Sequence, residues 1–454
     1  MLNKFFSSVL AILIASSLYS QSYTIAEFSY DSIMNISYGN SLNYANESEE
    51  LFFDLYKPKG DNNCKRPIVV LIHGGAWVAG SKEDVDLVYM SRYFAKRGYV
   101  VANMNYRMGM NKPSNWSLFA LCDPALFSPC AYIADSSEVF RANYRGMQDA
   151  KGLIRYMKSR NDIDSTDIDN VYLIGESAGG FIALQTALMQ EENQKPINCG
   201  AIGNAPNPDP DFASYSCNGN GYVAERGDLG SVEGELHMNG YDASVKGVGN
   251  FFGGILDASL ITSNASQPYL YLFHQGSDII VHYNYGKLLG RTSYECFAAV
   301  NLCQPYYFFP NAYGSKGIKN LMNTVNNTNY TAEIIENFEY QNDCFDNGHS
   351  IDFIETRLTN LNSDFASIIV SSGNDPAQNC TSLVSSINTT FSIYPNPVES
   401  VLHFGNSTGV MKRIYTIQGE LVGETMLEEF NCSGLSTGLY FVRKGNTHSK
   451  FVKI

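Results

Sequence analysis

The sequence predicts an α/β protein, a mostly parallel sheet flanked by helices, followed by a small all-β sandwich domain. Three observations carry this expectation. Continuous apolar runs alternate with helical stretches, a Gly-x-Ser-x-Gly bend joins one such run to a helix, and short alternating runs separated by turn signals close the chain.

The elements follow in order. Residues 51–56 (LFFDLY) read as a strand, and 67–72 (PIVVLI) form a continuous apolar run of the kind that suits a strand covered on both faces. A helical stretch around 87–97 leads to a second run at 99–106 (YVVANMNY), and the amphipathic stretch 145–158 leads to a third at 171–174 (VYLI). Another strand is expected at 268–273 (PYLYLF), and 351–370 read as a closing helix. Two insertions break the rhythm. Residues 108–140 carry Trp116, Phe119 and a Cys122/Cys130 pair, and residues 204–239 are rich in Gly, Asn and Asp; both are candidate cap segments. Asp209 and Asp211 lack the ligand spacing of an EF-hand.

At 454 residues, the usual prior of ~100–200 residues per domain leaves room for one large unit and a smaller one. The expected division is a signal peptide at 1–20, a catalytic domain at 21–370, a small-polar linker at 371–390 and a β domain at 391–454. The apolar run inside 1–20 is too short for the ~20 residues that span a bilayer, so the mature chain is expected to have no transmembrane segment. A formal net charge of −14 disfavours nucleic acid and anionic lipid as partners. Ten Cys in an exported chain suggest disulfides, with Cys122–Cys130, Cys296–Cys303 and Cys199–Cys217 as candidate pairs and Cys64, Cys344, Cys380 and Cys432 open. Neither a Cys-x-x-Cys pair nor a His-Glu-x-x-His is present, so no metal and no cofactor is expected.

The chemistry centres on Gly175-Glu176-Ser177-Ala178-Gly179-Gly180, between the run VYLI and the helical pattern FIALQTALM. A nucleophile on a sharp strand-to-helix turn leaves no room for side chains two residues either side, which is why glycines stand there. Ser177 is therefore the candidate nucleophile, presented at a helix N-terminus that favours a developing anion. A serine hydroxyl also needs a base and an oxyanion site. His73-Gly74-Gly75-Ala76-Trp77 follows the run PIVVLI, and the N–H groups of Gly75, Ala76 and Ala178 are the candidate oxyanion donors. In this type of sheet the order along the chain is nucleophile, acid, base. That order selects Asp278, in the loop after PYLYLF, and His349, just before the closing helix. His274 and His282 flank Asp278 too closely to leave an independent base loop and read as structural, as does Glu176. Trp77, Trp116 and Phe119 are candidate walls of a substrate pocket.

HGGAW together with GESAGG resembles the carboxylesterase and hormone-sensitive-lipase-like branches of the α/β-hydrolase superfamily, nearest the type-B carboxylesterases. HQGSDIIVHY is similar to the acid loop of those enzymes and YRGMQDAKGLIRYM to the helix before their nucleophile strand. Ala76 departs from the third Gly of many members. The resemblance spans about 51–371 and implies an α/β-hydrolase fold and a secreted serine ester hydrolase working through an acyl-enzyme. Small esters and acetyl or feruloyl esters of polysaccharide are the implied substrates. The alternatives are a serine peptidase of the prolyl-oligopeptidase type, whose large N-terminal propeller has no room here, and a non-catalytic binding protein on the same scaffold, which generally lacks a triad member. The end of the chain, with YPNPVESVLHF, IYTIQGELV and LSTGLYFVRKGNTHSKFVKI, resembles the type A sorting domain of the type IX secretion system. That implies the type IX machinery as partner and a secreted or surface-attached product.

Overall fold

The computed structural model describes residues 23–61, 63–111, 133–204, 225–263, 267–291, 309–336, 348–371, 391–405, 409–417, 420–444 and 447–454. The chain divides into two compact units, Met1–Ala377 and Gln378–Ile454.

The first unit is built on an eight-stranded sheet of β1 (Ser29–Leu42), β2 (Ser48–Lys59), β3 (Arg66–Ile72), β4 (Val100–Met104), β5 (Thr166–Glu176), β6 (Gly247–Phe251), β8 (Tyr269–Gln275) and β11 (Tyr330–Ile335), in the order β1-β2-β4-β3-β5-β6-β8-β11. From β4 to β11 every neighbouring pair is parallel, while β1 and β2 add an antiparallel edge. The apolar runs are continuous because both faces are covered. Ile68, Val70 and Ile72 of β3 face a core shared with α2 (Ser137–Ser159), α3 (Ala178–Leu188) and α4 (Ser315–Thr324). Val69 and Leu71 face the opposite core, shared with α1 (Val85–Ala95) and α5 (Ile354–Ser371). A small sheet of β7 (Gly254–Ile255), β10 (Asn311–Gly314) and β9 (Tyr285–Lys287) accompanies it. Parallel pairing puts the carboxyl ends of β3, β5, β6 and β8 on one rim, where ligands bind in open α/β sheets.

Of the insertion at 108–140, residues 112–132 lie outside the described residues, and Ser137 onward is the first turn of α2. Of 204–239, residues 204 and 225–239 are described, and 225–239 run along α2. There Glu233 takes Lys151 at 2.6 Å and Arg155 at 2.9 Å, partnering two otherwise buried cations. Asp209 and Asp211 fall outside the described residues, as do 1–20.

The second unit carries β12 (Ile393–Tyr394), β13 (Val401–Phe404) and β16 (Glu429–Asn431) in one sheet, and β14 (Lys412–Thr416), β15 (Leu421–Thr425), β17 (Gly438–Lys444) and β18 (Thr447–Lys453) in the other. All these strand pairs are antiparallel. Leu402 and Phe404 from the first sheet pack with Ile414, Val442 and Phe451 from the second, as the expected sandwich requires.

The disulfide expectation is corrected where it can be seen. Cys199 is a buried free thiol whose Sγ lies 3.6 Å from the carbonyl of Phe140, with burial pushing it up to about 12, and Cys432 is likewise unbridged. Both are small apolar residues of a core. The partners proposed elsewhere, Cys122, Cys130, Cys217, Cys296, Cys303, Cys344 and Cys380, lie outside the described residues. Among the described residues no helix is long and apolar enough to cross a membrane, and no cluster of ligating side chains could hold a metal ion.

Candidate active site

Strand β5 ends at Glu176 and α3 begins at Ala178, so Ser177 is the whole turn. Its backbone takes φ 51 and ψ −122, a region costly for any side chain. The surrounding glycines make this bend possible. A Cβ on Gly179 would lie 2.6 Å from the His73 carbonyl oxygen and overlap that of Ile72, and one on Gly175 would overlap the Gly179 carbonyl. The Ser177 amide donates to the Phe251 carbonyl at 2.9 Å, tying the turn to the end of β6.

Two loops on the same rim meet this hydroxyl. Ser177 Oγ is 2.8 Å from His349 Nε2, and His349 Nδ1 is 2.8 Å from Asp278 Oδ2. With the serine O–H donating to Nε2, the imidazole proton sits on Nδ1 and donates to the carboxylate. Asp278 is fully buried, and its Oδ1 accepts from the amides of Ile280 (2.8 Å) and Val281 (2.9 Å). Burial alone would push this carboxyl up, but the His349 charge and the hydrogen bonds from His274 and His349 outweigh it and hold Asp278 below the usual carboxylate range. Phe252, at φ 42, sets its ring 4.5 Å from the His349 ring; nothing in its sequence context had singled it out.

The glycine loop after β3 lies over the nucleophile, since a Cβ on Gly74 would come 3.2 Å from Ser177 Cβ. Gly75, Ala76 and Trp77 have φ of 105, 52 and 61, three successive left-handed residues that curl the loop back, with the amides of Val78 and Ala79 both donating to the Gly75 carbonyl at 3.0 Å. Ala178 supplies the first amide of α3. His73 stacks on Tyr106 at 4.4 Å, and burial pulls it down to about 4. Glu176 is pushed up to about 7, first by burial and then by Asp84 and Asp86, against a hydrogen bond from the Gly74 amide.

Trp77 is placed differently from a pocket wall. Only 3% exposed, it packs edge-on against Phe181 of α3 and donates its indole N–H to Asn143 Oδ1 on α2 at 3.1 Å, so its side chain serves the loop's own anchorage. Trp116 and Phe119 lie outside the described residues. His274, set aside as structural, reaches Asp278 Oδ2 at 3.0 Å.

Comparison with known proteins relates two parts of the chain to known families. Residues 53–115 match the BD-FAE family and residues 392–454 match the secretion system C-terminal sorting domain. Bile salt-activated lipase of Bos taurus is 28% identical over 170 residues, 36% of this chain and 24% of the lipase. Esterase P of Drosophila melanogaster is 28% identical over 176 residues, 36% of this chain and 28% of that protein. The matched stretch is thus about a quarter of these relatives' length. Among solved structures, a truncated carbohydrate esterase from gut microbiota superposes with a TM-score of 0.40 at 14% identity, covering 75% of this chain and 98% of that one. Thermogutta terrifontis esterase 2 phosphorylated by paraoxon gives 0.38 at 15%, covering 76% and 95%.

The fold and sequence relationships define an α/β-hydrolase superfamily protein related to the esterases. Its C-terminal unit is a type IX secretion sorting domain, the mark of a secreted or surface-attached chain.

Proposed function

We propose that this chain is a secreted serine hydrolase of carboxylic esters, with Ser177 as nucleophile, His349 as general base and Asp278 as its orienting acid. The observation that carries the reading is the unbroken path from Ser177 Oγ to His349 to Asp278, two contacts of 2.8 Å each, at a strained strand-to-helix turn. His349 Nε2 takes the Ser177 proton as Oγ bonds to the ester carbon. The carbonyl π pair moves onto oxygen, where the amides of Gly75, Ala76 and Ala178 receive it. Collapse expels the alcohol, which takes the proton from His349, and leaves an acyl-serine. Water, deprotonated by His349, then releases the acid and restores the hydroxyl.

The substrate class proposed is a small acyl ester or an acetyl or feruloyl ester on polysaccharide, suited to a chain exported by a sorting domain and related to the BD-FAE family. The test is hydrolysis across acetyl, feruloyl and longer-chain esters with peptide substrates alongside, each repeated with Ser177→Ala. Cleavage of peptides in preference to esters, or an undiminished Ser177→Ala variant, overturns it.

A further inference from the structure

His274 sits near the carboxyl end of β8, four residues before Asp278 and fully buried. Its Nε2 lies 3.0 Å from Asp278 Oδ2 and 3.0 Å from the Val281 carbonyl, while the backbone N–H of Ser315 points at its Nδ1 from 3.3 Å. An amide N–H only donates. Nδ1 is therefore the accepting nitrogen, and the single ring proton belongs on Nε2, where it faces two acceptors. Ser315 is itself held, its hydroxyl donating to the Phe273 carbonyl at 3.1 Å and accepting from Asn250 Nδ2 on β6 at 3.2 Å. The tautomer is thus set by the packing of three elements around the ring.

The consequence falls on the acid. Two amides hold Oδ1 of Asp278, which alone would let the carboxylate pivot about that oxygen. We propose that His274 is a positioning residue for Asp278: its Nε2–H stops that pivot, keeps Oδ2 turned toward His349, and draws off part of the negative charge the two imidazoles share. This rests on the assignment of Asp278 and His349 made above. Without His274, the undivided charge on Oδ2 stabilises the His349 imidazolium further, and the acidic limb of kcat/KM moves to higher pH. Charged groups near the pair among the described residues include Arg291, which donates to the Gly276 and Asp278 carbonyls at 2.8 and 3.0 Å, and Glu176, whose charge interacts with His349 across the turn. Neither changes between the variants below, so a difference in the limb reports His274.

The experiment compares His274→Leu, which removes the donor, with His274→Gln, whose amide can donate from the place of Nε2, on p-nitrophenyl acetate across pH. His274→Leu is expected to lose about tenfold in kcat/KM, the weight of a hydrogen bond to a charged acceptor, with its acidic limb displaced upward. His274→Gln is expected to recover most of both. A folded His274→Leu with the parent's rate and limb overturns the proposal, as does a Gln variant no better than Leu. Should His274→Leu not fold, the nitrogen chemical shifts of His274 in the parent protein decide. They are expected to show protonated Nε2 and bare Nδ1, and the reverse tautomer overturns it. Ser177→Ala run in parallel separates the two claims. If it is inactive while His274→Leu is unaltered, only the role of His274 falls, whereas an active Ser177→Ala removes the assignment beneath it.

Discussion

Gly348 packs so closely on the acid loop that a Cβ built on it would lie 2.8 Å from the backbone nitrogen of Asp278 and overlap Ser277 Oγ. Its φ of 68 adds a second reason for glycine, and the next residue is His349. Gly348→Ala must therefore lift the base loop off the acid loop, lengthening both 2.8 Å contacts of the imidazole at once. Because a displacement of about 1 Å at a reacting group costs about 100-fold, kcat/KM for a simple ester should fall by about that factor. Steady-state kinetics with circular dichroism checks it, and a folded Gly348→Ala with parental kcat/KM contradicts the packing described.

Asp278→Asn keeps the shape of the acid and removes its charge. The amide then faces two N–H donors on one side and two backbone N–H groups on the other, and can accept from only one side. His349 is expected to adopt the wrong tautomer for accepting from Ser177, with kcat lower by about 10⁴-fold. A loss smaller than tenfold, in single-turnover ester hydrolysis, would reassign the acid.

The same contacts explain what sequence could and could not reveal. β3 and β8 were legible because both faces are buried and their runs are apolar throughout. β6 was not, because it is GVGNF. Cβ atoms on Gly247 and Gly249 would meet Phe365 at 3.1 Å and Leu361 at 2.8 Å, so α5 lies directly on the strand backbone and no side-chain pattern marks it. β1 escaped notice as a long edge strand, exposed over most of its length. Ser177 announced itself through local turn chemistry. His349 lies 172 residues away, and only chain order and its place just before the closing helix pointed to it. The role of His274 needed the position of Ser315, supplied by a helix whose place follows only from tertiary packing.

Two groups flanking the glycine loop oppose each other in pH. His73 donates from Nδ1 to the Gly74 carbonyl at 2.7 Å, while its buried Nε2 has no partner among the described residues, so a second proton would have nowhere to bond. Its value falls from 6.5 to about 4, so the unfolded chain binds the proton first; stability is full above 6.5 and is lost as pH drops through that window, to the order of 3 kcal/mol. Glu176 rises from 4.5 to about 7, so the folded chain holds its proton longer, and its contribution, full below 4.5, is lost as pH rises to 7. In Tm measured against pH, His73→Asn should flatten the acid side and Glu176→Gln the approach to neutrality. Curves parallel to the parent's would remove both attributions.

Trp77 tests whether the loop's shape is held from below. Three left-handed residues in a row are unfavourable for Ala and Trp, so something outside the loop must fix them. The fixing contacts are the indole N–H to Asn143 Oδ1, the edge contact with Phe181, and the Gly109 amide donating to the Trp77 carbonyl at 2.7 Å. Trp77→Phe keeps the aromatic contact and deletes the donor, leaving Asn143 Oδ1 buried without that partner, a cost of about 1–3 kcal/mol. Thermal melting should show that loss together with a lower kcat, as the amides of Gly75 and Ala76 drift from their setting. Asn143→Leu also strips the buried Gln185 Oε1 of the Asn143 Nδ2 donor, so the pair is read as a cycle, in which the double variant should lose less stability than the sum of the two single variants while kcat stays low. If the two losses simply add, the indole bond is not what holds the loop.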